Sequence, residues 1–96
     1  MDRIQAMQMF MRVAEAGSFV RAAETLSLPA STVTSTIKNL EQYLKVRLLN
    51  RTTRRVSLTP EGLQYLAQCR EILALIEHSE SSLSESVARP QGRLRV

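Results

Sequence analysis

Residues 17–44 read GSFVRAAETLSLPASTVTSTIKNLEQYL, and the break near their middle decides the fold. Before the break, Ser18 is placed to cap a short helix over about 19–26, with Phe19, Ala22, Ala23 and Leu26 facing inward. The small Ala22-Ala23 pair lets another helix approach closely. Ser27-Leu28-Pro29 then interrupts the pattern. A residue before proline is pushed towards extended backbone, and proline suits a first helical turn, where its missing N–H costs nothing. After the break a longer helix runs from about 30 to 44, with Val33, Ile37, Leu40 and Leu44 on its apolar stripe. Ser31, Thr34, Ser35, Lys38 and Gln42 form the opposite stripe. Two helices joined by a turn of about three or four residues make a helix-turn-helix.

Working outward, residues 3–16 carry Ile4, Met7, Met11 and Ala14 at helical spacing, and Phe10 widens the stripe. Asp2 is the expected N-cap and Gly17 the expected stop. Downstream, two β-prone runs, 46–51 and 56–58, flank the polar tip Thr52-Thr53-Arg54-Arg55 and predict a hairpin. Thr59-Pro60 is a helix start: a capping hydroxyl followed by proline at the first helical position. From there to about Arg89 only Gly62, in the first turn, interrupts helical character. Such a helix is about 45 Å long, too long to bury in a domain this small. Along it Leu66, Cys69, Leu73, Ile76, Leu83 and Val87 alternate by three and four, with Glu80 the charged interruption, like a coiled-coil seam. Pro90 and Gly92 end the helix, and Arg93-Leu94-Arg95-Val96 reads as the opening of a strand.

The expected architecture is therefore mainly α. A winged helix-turn-helix of three helices and a β-hairpin covers 1–58, and a long helix for dimerisation covers 59–89. Residues 90–96 would begin a further domain.

Composition removes several classes. The single cysteine, Cys69, excludes an intrachain disulfide framework. His78 lies on the same predicted helix, and nine residues separate the two backbones by roughly 13 Å. They can form neither a zinc site nor a Cys–His catalytic pair. We find no phosphate-cradling glycine loop and no activated nucleophile, so neither an enzyme nor a bound cofactor is expected. A core this small is marginal without added burial, which makes a second copy of the chain the expected source of it. No apolar run approaches a membrane span, and Met1-Asp2-Arg3-Ile4 lacks a signal-peptide pattern. A cytoplasmic protein with no membrane partner is expected, and a lone reduced thiol fits that compartment.

Charge points to the partner. Residues 1–58 hold nine Arg/Lys against four Asp/Glu, whereas 59–88 hold one against five, within a net charge of +4. A basic front half suggests a polyanion. An α-helix fits the major groove of B-DNA, and small hydroxyl side chains allow close approach. Arg47, Arg51, Arg54 and Arg55 crowd the hairpin, and no acid lies between Glu41 and Glu61 to pair with them. Guanidinium groups suit phosphate and narrow minor grooves. Two rivals stay open on the residues alone. One is a helical interaction module working through residues 60–89. The other is RNA binding, disfavoured because the four aromatics place no pair on a strand to stack bases.

Gly17-Ser18-Phe19, Ala22-Ala23, Leu26, Val33, Ile37, Leu40-Glu41 and Leu44 together resemble the helix-turn-helix of LysR-type transcriptional regulators. So do residues 47–54, Arg-Leu-Leu-Asn-Arg-Thr-Thr-Arg, and Leu58-Thr59-Pro60-Glu61-Gly62. The wing looks most like that of the branch containing the CrgA-type regulators. The resemblance covers essentially the whole chain. It implies operator DNA as partner, with the third helix in the major groove and the wing on the flanking backbone or minor groove. By position, contacts would fall on Ser18, Ala30, Ser31, Thr34, Ser35 and Lys38, with Arg51, Arg54 and Arg55 on the wing. The long helix would be the family's linker helix, pairing two copies, and a tetramer is compatible with a full-length protein. A small-molecule effector would act only through a C-terminal domain. Three departures stand out. Pro29-Ala30-Ser31 replaces a frequent Ser-Gln-Pro start, Ser35 replaces a frequent arginine, and Lys45 replaces a glycine.

Overall fold

A computed structural model describes residues 2–51 and 55–88. Among them the chain forms α1 (Arg3–Ala16), α2 (Phe19–Leu26), α3 (Ala30–Leu44), β1 (Leu49–Arg51), β2 (Val56–Leu58) and α4 (Pro60–Ala88). The strands pair antiparallel, with Leu49 opposite Leu58 and Arg51 opposite Val56.

Local chemistry sets each boundary. Asp2 accepts from the Gln5 N–H at 3.1 Å and Ser18 from the Arg21 N–H at 3.2 Å, so both helices start on side-chain caps. Gly17 ends α1 at φ 68°. Helices α2 and α3 end differently, with non-glycine residues in the left-handed region: Ser27 at φ 57° and Lys45 at φ 58°. The same pair of bonds closes both ends. Leu28 N–H reaches the Ala23 carbonyl at 3.0 Å, and Val46 N–H reaches the Glu41 carbonyl at 3.2 Å. These are Schellman closures, which satisfy carbonyls left over at a helix end. The turn between α2 and α3 is thus built from Ser27, Leu28 and Pro29, as the sequence break predicts.

The core gathers around α1, which touches α2, α3, α4 and β2. Phe10, Val13, Val33, Ile37 and Leu40 are fully buried, joined by Leu48 and Leu49 from the wing base. This corrects the expected stripe on α1. Ala6, Met7, Met9, Phe10 and Val13 are the buried set, while Ile4 is exposed and Met11 and Ala14 are half-buried. One stripe describes a helix with one neighbour, and α1 has neighbours on several sides. A second correction concerns the first β-prone run. Only Leu49–Arg51 of residues 46–51 is strand, because consecutive burial of Leu48 and Leu49 breaks the alternation a longer strand would need.

Helix α4 meets the wing at Thr59. Its hydroxyl donates to the Arg47 carbonyl at 2.6 Å and accepts from the Gly62 N–H at 2.9 Å, while its own N–H reaches the Leu48 carbonyl at 3.0 Å. Gly62 is required for close approach: a Cβ there would overlap the Leu48 carbonyl oxygen and lie 2.9 Å from its carbon.

Two substitutions test this account with opposite signs. Lys45→Gly should raise stability by about 1 kcal/mol by removing the left-handed penalty, whereas Gly62→Ala should lower it by about 1–3 kcal/mol through forced overlap. Denaturant midpoints at unchanged slope would measure both. A Gly62→Ala chain as stable as the parent would contradict the close approach.

Candidate nucleic-acid interface

Burial of Val33, Ile37 and Leu40 turns the opposite face of α3 to solvent, and Ser31, Ser35 and Lys38 are exposed on it. Thr34 is half-buried, and its hydroxyl donates to the Ala30 carbonyl at 3.0 Å. Its proton is engaged within the helix, leaving oxygen lone pairs and a methyl group as its surface. Ala30 packs against the core and presents least of the expected contacts. No side-chain cap closes the start of α3 at Pro29. Backbone N–H groups at an uncapped helix start favour an anion. Ser18 lies at the start of α2, where its oxygen accepts from Arg21 and its hydroxyl proton is not used by that bond.

The wing and α3 are joined by a bond network that the sequence alone did not reveal. Glu41, on the last turn of α3, accepts from the Leu48 N–H at 2.8 Å and the Leu49 N–H at 3.1 Å through one oxygen. Its other oxygen takes the Arg51 guanidinium at 3.0 Å. That guanidinium also lies over the Phe19 ring, 5.4 Å from its centroid. Arg51, expected as a DNA contact, is thus engaged by Glu41 and Phe19, with 27% of its side chain exposed. The supposed lack of an acid for the wing overlooked Glu41, the acid that bounds the interval. Arg55 is exposed beside β2, and Arg54 lies outside the described residues.

The expected seam on α4 divides in two. Leu66 and Cys69, 6% and 0% exposed, are covered by the chain's own core and offer no surface to a second copy, which corrects their assignment to dimerisation. Leu73 and Ile76 are half-buried, whereas Leu83 and Val87 are 67% and 85% exposed. Burial pushes the Cys69 thiol up, partly offset by a hydrogen bond from Tyr65, and burial pushes the Tyr65 phenol up to about 12. The Tyr65 ring in turn packs on Phe10, centroids 5.6 Å apart. Among the described residues no cluster of His, Cys, Asp or Glu could hold a metal, and no helix is long and apolar enough to cross a membrane.

Three helices with a two-stranded wing make a winged helix-turn-helix fold. Residues 4–63 match the family described as "Bacterial regulatory helix-turn-helix protein, lysR family", and the chain belongs to that family. It is 48% identical over its 96 residues to an HTH-type transcriptional repressor of Pseudomonas aeruginosa (strain UCBPP-PA14), covering all of this chain and 30% of that protein. It is 45% identical over 92 residues to the HTH-type transcriptional regulator CrgA of Neisseria meningitidis serogroup C, covering 96% of this chain and 31% of CrgA. The chain thus spans about a third of the length of these relatives. Among solved structures, the DNA-binding domain of BenM in complex with benA site 1 DNA superposes with a TM-score of 0.83 at 29% identity. That match covers 85% of this chain and 95% of the BenM domain. The CbnR DNA-binding domain in complex with DNA gives 0.82 at 35% identity, covering 90% and 98%.

The burial of Cys69 generates a prediction. At neutral pH the folded chain should react with a thiol reagent far more slowly than the unfolded chain, since a buried thiol is neither exposed nor ionised. Equal rates with and without denaturant would contradict the packing of α4 on α1. For Tyr65, the raised folded pKa gives stability that is full below pH 10 and drains as pH climbs from 10 towards 12. Thermal melting across that window checks the sign.

Proposed function

We propose that the chain reads double-stranded operator DNA as a homodimer, with α3 in the major groove and the wing on the flanking backbone or minor groove. One observation carries the reading: α3 turns an outward face of Ser31, Ser35 and Lys38, free of exposed acids, away from a fully buried face. Ser31 and Ser35 then meet base edges or phosphate, Thr34 and Ala30 offer close and partly apolar contact, and Lys38 lies nearer the groove rim. Ser18 donates to phosphate from the start of α2. Arg54 and Arg55 supply the charge of the wing. BenM and CbnR were each solved with DNA on a domain of the same shape, which supports the placement. The mechanism is binding, without bond chemistry. An effector acts through sequence beyond this module, and a cytoplasmic location follows from the partner.

The dimer rests on the far half of α4. From Glu77 to Val87 every residue is exposed, and five of these eleven are serines. Isolated helices this short are marginal in water, and serine is a weaker helix former than alanine. A second copy supplies the missing cover. The apolar face that α1 covers at Leu66 and Cys69 continues past the body through Ile76, Leu83 and Val87. Beside it lies an open groove of about 660 Å³ between α1, α2 and α4, with Ile4, Met11, Leu26, Leu73 and Ile76 among its lining.

Leu83→Glu probes the dimer without disturbing the core, because Leu83 touches none of it. Each leucine is worth about 1.5–3 kcal/mol and a symmetric dimer counts it twice, so dimerisation should weaken by about two to four orders of magnitude. Sedimentation that finds the dimer unchanged would refute the seam. For the reading face, Ser35→Arg should shift the preferred base at one symmetric pair of operator positions, towards guanine, by about 1–3 kcal/mol of discrimination. Should selected sites keep the same base pattern while only affinity moves, Ser35 does not face the bases.

A further inference from the structure

Two ion pairs among the described residues differ in character. Arg70 and Glu15 meet at 3.9 Å with more than half of each side chain exposed, an arrangement that contributes little. Arg51 and Glu41 meet at 3.0 Å with 27% and 12% exposure. Glu41 accepts from three donors: Leu48 N–H, Leu49 N–H and the guanidinium. Arg51 Nε is buried and has no acceptor among the described residues. Phe19, beneath that group, is the first residue of α2. The pair therefore ties together the start of α2, the end of α3 and the first strand of the wing.

We propose that Glu41 is a positioning residue with two effects: it sets the wing relative to the reading helix, and it neutralises Arg51 so that this arginine is withheld from phosphate. A carboxylate near a DNA-facing surface is costly for affinity. A carboxylate engaged by two backbone amides and a guanidinium lends shape instead. Guanidinium charge left free beside the groove would add the same attraction to every duplex, raising random binding along with specific binding. Glu41 thus exchanges undirected affinity for a fixed wing, and sequence preference rises. The proposal rests on the reading of the chain as a duplex-DNA binder.

The test compares the parent chain with Glu41→Gln, Arg51→Met and the double variant. Methionine keeps an unbranched apolar stem over Phe19. Binding to a short duplex of scrambled sequence is measured across salt concentrations, and site preference by selection from a randomised duplex pool. Glu41→Gln should bind the scrambled duplex more tightly, with a salt slope steeper by about 0.9, the value of one phosphate contact. The double variant should return to the parent slope while its site preference stays weakened. An unchanged slope in Glu41→Gln, or a double variant whose slope is flatter than the parent by about 0.9, overturns the proposal, because Arg51 would then contact phosphate directly. A purely structural pair would move the melting temperature and leave slopes alone, which also overturns it. Amide exchange supplies a readout that needs no DNA. The Leu48 and Leu49 amides should exchange faster in Glu41→Gln while those inside α1 keep the parent rate, and unchanged exchange at Leu48 and Leu49 counts against the proposal. A parent chain that binds no duplex sinks the DNA reading alone, and the exchange result still decides the positioning role.

Discussion

The short segment Arg47–Leu49 is gripped from both sides, and the geometry of the molecule depends on that grip. Its N–H groups, from Leu48 and Leu49, go to the Glu41 carboxylate. Its carbonyls, from Arg47 and Leu48, go to the Thr59 hydroxyl and N–H. Glu41 belongs to α3 and Thr59 starts α4, so one stretch of backbone joins α3, the wing and the long helix. The side chains of Leu48 and Leu49 are meanwhile sunk in the core at 1% and 0% exposure. A segment with buried side chains must have its backbone polar groups satisfied, since an unpaired buried amide or carbonyl costs as much as a lost hydrogen bond. Glu41 and Thr59 meet that demand with side chains, and the wing acquires a defined position as a result.

Helix α4 joins two environments with one periodic pattern. Its first half completes the core built on α1, α2 and α3, through Leu66 and Cys69. Its second half carries the same apolar period into solvent, in a molecule 57 Å long and only 26 by 21 Å across. In the proposed dimer, domain stability and association share a helix. A change near Leu73 would then disturb both, whereas one near Leu83 would disturb association alone.

Much of this was legible because it follows from local rules. Helix α3 begins and ends where the proline break and the apolar period put it, and Asp2, Ser18 and Thr59 cap where hydroxyl or carboxylate precedes a helix. The left-handed turn at Lys45 also agrees with a position where the family carries glycine. What failed needed tertiary information. Periodicity identifies an apolar face but not what covers it, so Leu66 and Cys69 looked like a dimer seam although their own chain encloses them. The stripe on α1 was misplaced for a related reason, since a helix with neighbours on several sides buries more than one face. Arg51 looked like a free cation because its partner Glu41 lies ten residues away on another element. A signal was present: Glu41 is the one acid on a helix whose opposite face is otherwise uncharged apart from Lys38. Thr34 and Ala30 were placed correctly on the helix, but the bond between them was not foreseen.

The central claim is that two copies of the chain present two reading helices to one duplex. Selection of bound sites from randomised duplex DNA tests it most directly, with the purified chain and no other protein. A dimer of helix-turn-helix modules imposes its two-fold symmetry on its site, with half-sites about one helical turn, or a multiple of it, apart. The account predicts enrichment of an inverted repeat with that spacing. Enrichment of no sequence, or of a single asymmetric half-site bound by a chain that sediments as a monomer, would contradict it.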